Sequence, residues 1–170
     1  MKTRIIVDST ADFSPEFKSR VHTVPLTVRF GNTEYIDGVT IDHKTFYEKL
    51  IESDVLPTTS QATPDAFMTE FEKVANAGDE AVVITLASKF SGTYQSATIA
   101  ASEFDNIYVV DSTSAAMGSG ILVELAFKLL DEGKSAKEIA EILEEEKKKI
   151  VIVALLPQNK HNTMTTSCKP

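Results

Sequence analysis

The sequence predicts an α/β fold, a mostly parallel sheet with helices on both faces. Three observations carry that expectation. Three short apolar runs do not alternate, namely Arg4-Ile5-Ile6-Val7, Ala81-Val82-Val83-Ile84-Thr85-Leu86 and Ile107-Tyr108-Val109-Val110. Such runs read as strands buried on both faces. In the second half of the chain these runs alternate with stretches of helical period, which implies right-handed βαβ units. Finally, the first and last of the runs stop at the same polar triplet, Asp8-Ser9-Thr10 and Asp111-Ser112-Thr113. Ligands of open α/β sheets gather at the carboxyl ends of the strands.

Taken in order, Arg4 to Val7 is the first strand, and Asp8-Ser9-Thr10-Ala11-Asp12 leads into a short helix around Pro15-Glu16-Phe17. Val24-Pro25-Leu26-Thr27-Val28-Arg29-Phe30 alternates and is expected to be one second strand, with Leu26, Val28 and Phe30 on one face and Pro25 near its start. Gly31-Asn32 is a turn signal, and Tyr35 to Val39 a hairpin-like return. Asp42 is a candidate cap for a helix carrying the apolar stripe Phe46, Tyr47, Leu50 and Ile51. After the polar connection Leu56 to Pro64, Thr63 as cap and Pro64 at the first position open a helix with Phe67, Phe71 and Val74 on one face.

The strand Ala81 to Leu86 runs through Ser88-Lys89-Phe90-Ser91-Gly92 into an alanine-rich helix containing Ala97, Ile99, Ala100 and Ala101. Beyond Ile107 to Val110, a long helix carries Ile121, Leu122, Leu125, Ala126, Leu129 and Leu130 and ends near Gly133. Ser135 and Glu138 form a capping-box pattern for the next helix, through Ile139, Ile142 and Leu143. Glu144 to Glu146 followed by Lys147 to Lys149 reads as a solvated helix end. Ile150 to Val153 has strand-like composition, and an irregular tail follows. Residues 1–149 are therefore expected to form one α/β domain, and residues 150–170 a strand-like start and a tail with no second domain.

Composition bounds the partners. Of 170 residues, 42% are hydrophobic and 25% charged, as in a cored protein, and the formal net charge is −8. A nucleic-acid or anionic-membrane binder needs a basic face, so neither is expected. The longest apolar run, Ile150 to Leu156, is far short of a membrane span. Cys168 is the only cysteine, so no intrachain disulfide can form. With no signal-peptide pattern at the start, the expected location is the cytoplasm.

Two loops stand out chemically. A Ser/Gly turn between strand and helix presents free N–H groups and the positive end of a helix dipole, which favour an anion. Ser91 and Thr93 add hydroxyl donors there, and Gly92 leaves the backbone open to approach. Ser91 as a simple helix cap remains the alternative. The run Thr58-Thr59-Ser60-Gln61 precedes the next cap and fits either a plain turn or a ligand contact. There is no GxxxxGK[ST] and no GxGxxG after a strand. His22, His43 and His161 lack ligand spacing, so neither a metal nor a cofactor is expected. Asp8 sits where a nucleophilic carboxylate could follow a strand, but Thr10 stands where a second carboxylate would assist a metal.

The combined segments resemble the DegV family of bacterial fatty-acid-binding proteins. They are Val7-Asp8-Ser9-Thr10-Ala11-Asp12, Val24-Pro25-Leu26-Thr27-Val28, Tyr35-Ile36-Asp37-Gly38-Val39, Pro57-Thr58-Thr59-Ser60-Gln61, Ser91-Gly92-Thr93-Tyr94-Gln95-Ser96-Ala97, and Asp111-Ser112 with Met117-Gly118-Ser119-Gly120. The likeness covers about the first 150 residues. It implies a non-enzymatic protein holding one long-chain fatty acid, such as palmitate, with the carboxylate bound by Thr59, Ser91 and the Gly92 N–H. It also implies a fatty-acid kinase as partner, to which the acid is presented for phospholipid synthesis. The competing expectation is a phosphoryl- or acyl-transferring enzyme using Asp8 or Ser91. Family members run to about twice a single-domain length. The Gly-Gly-Arg-Ile turn and the late histidine that complete their carboxylate site have no counterpart here, as in a truncated or frameshifted chain. Such a chain is expected to self-associate through exposed apolar surface.

Overall fold

The computed structural model describes residues 1–153. In chain order the elements are β1 (Thr3–Asp8), β2 (Val21–Val24), β3 (Thr27–Phe30), β4 (Thr33–Ile36), α1 (His43–Glu52), β5 (Thr58–Ser60) and α2 (Pro64–Asn76). There follow β6 (Glu80–Thr85), α3 (Thr93–Ala101), β7 (Ile107–Asp111), α4 (Met117–Asp131) and α5 (Ala136–Glu146). One-turn 3-10 segments lie at Pro15–Phe17 and Lys147–Lys149.

The main sheet has four strands in the order β2-β1-β6-β7, all parallel. Every residue of β6 is buried, which is why Glu80 to Thr85 shows no polar alternation. Ile5, Val7, Val82, Ile84 and Val110 point to one face, where α4 and α5 pack through Leu122, Phe127, Ile139 and Leu143. Ile6, Ala81, Val83 and Ile107 point to the other, against Phe67, Phe71, Val74, Ala97 and Ala100 of α2 and α3. Helices thus cover both faces, as the alternation of strands and helices predicts. A three-stranded sheet, β4-β3-β5, lies beside this body and is antiparallel.

The expected caps are in place. Asp42 Oδ1 accepts from Thr45 N at 2.7 Å, Thr63 Oγ1 from Ala66 N at 3.2 Å, and Ser135 with Glu138 forms a reciprocal capping box.

Three expectations are corrected. Val24 to Phe30 is not one strand: β2 ends at Val24 and β3 begins at Thr27 in the other sheet. Pro25 has no N–H for a ladder, and the Leu26 N–H is taken by Ser9 Oγ at 3.1 Å, so the chain leaves one sheet and enters the next. The alternating side chains of Leu26 and Val28 are buried as expected, but across that junction. Ile150 to Val153 is not a strand, and residues 151–153 are exposed. The α1 stripe is poorly covered: no α1 residue is buried, and Tyr47 and Ile51 are 60% and 83% exposed. Its anchor is Phe46, packed edge-on against Phe30 with ring centroids 5.6 Å apart. The tail beyond residue 153, with His161 and Cys168, lies outside the described residues.

Candidate functional site

The carboxyl ends of β1, β6 and β7 are joined by polar contacts. The Asp8 carboxylate accepts from Leu86 N at 2.6 Å, Thr10 N at 2.9 Å and Thr10 Oγ1 at 2.6 Å. Asp111 Oδ1 accepts from Ser88 N at 3.1 Å and Thr113 N at 2.9 Å, and Ala87 N donates to the Ser114 carbonyl at 2.7 Å. The loop from Leu86 to Ser91 is thereby fixed from both neighbouring strands. Backbone strain collects here too: Thr113 and Ala116 both have positive φ, 51° and 49°. Two buried hydroxyls lack a protein partner among the described residues, Thr85 Oγ1 and Ser114 Oγ, and both lie at this edge.

The fixed loop delivers Ser91 and Gly92 to the start of α3. Gly92, not Ser91, is the N-cap residue, and no side chain caps the helix. Ser91 Oγ instead accepts from Thr93 N at 3.2 Å and shares a hydrogen bond with Thr93 Oγ1 at 2.9 Å. The alternative of Ser91 as a conventional cap is therefore not what forms. What results is a half-exposed serine beside an uncapped helix N-terminus, an arrangement that favours an anion. Gly92 has φ −73° and ψ 5°, a conformation open to other residues. Space explains the glycine: a Cβ there would fall on the Gln61 carboxamide, 2.8 Å from Cδ, 3.1 Å from Nε2 and closer still to Oε1.

That contact brings the second loop to the first. Thr58–Ser60 is neither a plain turn nor free loop but strand β5, with Thr59 opposite Val28 of β3. All three β5 residues are exposed. Two residues on, Gln61 Nε2 donates to Ser96 Oγ in the first turns of α3 at 3.0 Å. Ala62 is then buried in the core against α2 and α3. The Thr59 strand is thus moored to the Ser91-Gly92 helix start through Gln61. Gln61 and Ser96 were within the matched motifs, yet nothing in their local sequence gives their pairing.

A separate cleft of about 430 Å³ opens at the end of β1, lined by Asp8, Asp12, Pro25, Lys18, Asp37 and His43 among others. Thr59, Ser91 and Gly92 are not in its lining. Its lining sets three carboxylates against one lysine, an acidic balance that disfavours an anionic head group. Burial pushes the Asp8 carboxyl above the usual carboxylate range, the hydrogen bonds from Thr10 and Leu86 pull it back only in part, and nearby Asp37 adds to the rise. Among the described residues no group of three or more His, Cys, Asp or Glu side chains is placed to hold a metal ion. No helix among them is long and apolar enough to cross a membrane.

A family model described as "Uncharacterised protein, DegV family" matches residues 2–160. The chain belongs to the DegV family. A DegV domain-containing protein of Clostridium perfringens is 36% identical over 148 residues, which are 84% of this chain and 53% of the relative. The chain spans about half the length of the curated DegV relatives it matches. Among solved structures, DegV from Bacillus subtilis, described as a fatty-acid-binding protein, superposes with a TM-score of 0.79 at 34% identity. The match covers 87% of this chain and 54% of that one. A DegV family protein from Thermus thermophilus, described by its fatty-acid binding, gives a TM-score of 0.78 at 32% identity, covering 87% and 54%. The parallel four-stranded sheet with helices on both faces is therefore that of the DegV proteins.

Proposed function

We propose that this DegV chain is a binding protein, not an enzyme, and that it holds one long-chain fatty acid, such as palmitate, by its carboxylate. The head group is received by the Thr59 hydroxyl, the Ser91 hydroxyl and the Gly92 N–H. The observation that carries the reading is the uncapped N-terminus of α3, with Ser91 beside it and the Thr59 strand tied to it through Gln61. Hydroxyl and amide donors around a helix start suit a carboxylate, whereas the acidic balance of the cleft by Asp8 disfavours one. The description of solved relatives as fatty-acid-binding proteins supports the ligand class.

The same exposure of Thr59 and Ser91 suits presentation of the carboxylate to a second protein, and a fatty-acid kinase feeding phospholipid synthesis is the proposed partner. A chain with one cysteine, and so without an intrachain disulfide, is in keeping with the cytoplasm as its place. The transferase alternative needs an available nucleophile. Asp8 is 1% exposed with both oxygens already accepting, and the partners of Ser91 Oγ are the amide and hydroxyl of Thr93, not a base.

Organic extraction of the purified protein followed by mass spectrometry tests the ligand class. Co-purified long-chain fatty acid is expected. Turnover of a phosphate ester or acyl donor that disappears in Asp8→Asn or Ser91→Ala would favour the transferase.

A further inference from the structure

Thr59 and Ser91 belong to different layers of the molecule. β5 is an edge strand of the small antiparallel sheet, while α3 flanks the parallel one. A carboxylate held by both needs them at a fixed separation, because a hydrogen bond weakens steeply with distance and angle. The Gln61 side chain joins the two elements. Its Nε2 reaches Ser96 Oγ at 3.0 Å, and its carboxamide lies over the Cα of Gly92, in the space any larger residue's Cβ would fill. Ser96 is itself 2% exposed, so the far end of the link is set in the core. Gly92 has backbone angles that do not demand glycine, so the residue type answers to Gln61.

We propose that Gln61 is a positioning residue, a brace that sets the distance between the Thr59 hydroxyl and the Ser91-Gly92 donors, and that Gly92 is glycine in order to seat it. This rests on the carboxylate reading above. Gln61 acts through the two loops and need not touch the ligand. Removing it keeps the Thr59 and Ser91 hydroxyls themselves but lets β5, and Thr59 with it, drift from the helix start. The cost falls on recognition of the charged head group and not on the hydrocarbon chain.

The test uses the full chain in five forms: wild type, Gln61→Ala, Gln61→Glu, Gly92→Ala and the Gln61→Ala/Gly92→Ala double variant. Each is titrated with palmitate and with 1-hexadecanol and followed by backbone amide resonances, with thermal unfolding as the fold control. Gln61→Ala is expected to weaken palmitate about three- to tenfold, the worth of one neutral hydrogen bond. Hexadecanol affinity should stay level, while the unfolding midpoint falls modestly as the buried Ser96 hydroxyl loses its partner and unfolding stays cooperative. Gly92→Ala should weaken palmitate similarly in the wild-type background, because its methyl evicts the carboxamide, and should add nothing once Gln61 is alanine. Gln61→Glu, which keeps the shape but puts a charge beside the head group, should discriminate against palmitate more than Gln61→Ala does. Unchanged palmitate affinity in Gln61→Ala, or an equal loss from Gly92→Ala in both backgrounds, would overturn the brace alone. A wild-type chain that takes up palmitate no better than hexadecanol would overturn the carboxylate reading, and the brace with it.

Discussion

Ser91 is where one side chain separates two accounts of the same loop. As a donor to a carboxylate it contributes roughly 1.5–3 kcal/mol, so Ser91→Ala is expected to lower palmitate affinity about ten- to a hundredfold. Its one structural hydrogen bond to backbone, from Thr93 N, is 3.2 Å long, so isothermal titration should register far more than thermal unfolding does. Thr59→Val keeps volume and branching and removes the hydroxyl. Affinity for palmitate should fall while that for hexadecanol barely moves; an equal loss of both would mean Thr59 only shapes β5. Asp8 makes a different kind of statement. Its carboxyl is raised by burial, so the folded state holds that proton more tightly than the unfolded chain does. Asp8 therefore contributes stability that is full below its ordinary value of 3.8 and is lost as pH rises through the elevated folded value. Denaturation across that window should show the advantage of wild type over Asp8→Asn largest at the acid end and shrinking upward. Lowered groups such as Asp79, held by Lys2 N and Arg4, run the other way and lose their contribution as pH falls. At this scale the sequence marks Ser91-Gly92 and the run Thr58 to Gln61 as local clusters of donors, and the DegV resemblance singles out Thr59 within that run. The pairing of Gln61 with Ser96 was not legible, because the partners lie 35 residues apart.

Among the elements, those governed by local chemistry were readable. Asp42, Thr63 and Ser135 cap the helices their side chains mark, and the buried runs of β1, β6 and β7 are the parallel strands. Ser135→Ala should cost about 1 kcal/mol in chemical denaturation and leave ligand binding alone, since α5 lies away from the site. What local pattern could not show was a change of sheet. Val24 to Phe30 keeps a period of two while Pro25 and Ser9 divert it, and a period alone does not say which neighbour a strand will pair with. The approach of α4 to the loop after β1 was likewise hidden. A Cβ on Gly120 would meet the backbone of Asp12 and Phe13, 2.7 Å from the Asp12 carbonyl carbon and 3.2 Å from Phe13 Cα. Backbone cannot swing aside as a side chain can. Gly120→Ala should thus destabilise by about 1–3 kcal/mol in urea, the usual cost of overpacking. Gly92→Ala, which meets only a side-chain end, should be much milder for stability.

Beyond the two packed cores, several large apolar side chains among the described residues are exposed. Phe90, Met117 and Ile121, near the starts of α3 and α4, are 68%, 70% and 55% exposed, and Ile51 of α1 and Leu56 just before β5 are 83% and 80% exposed. The proposed carboxylate donors, Thr59, Ser91 and the Gly92 N–H, would supply hydrogen bonds but no full countercharge, and a helix dipole adds only about 0.3–1 kcal/mol at an exposed end. This chain by itself is therefore expected to bind palmitate weakly and to form dimers or larger species in light scattering. Tight binding by a clean monomer would contradict that expectation. The fold class was legible because hydrophobic period reports burial; the strength of binding was not, because it depends on groups assembled across the fold. The central claim, a fatty-acid carboxylate seated at the start of α3, is tested most directly by a palmitate titration of the isotopically labelled chain. Progressive shifts of the Gly92, Thr93 and Tyr94 amides, absent with hexadecanol, are the expected result. Shifts confined to the cleft residues Asp8, Asp37 and His43, or the same response to acid and alcohol, would contradict it.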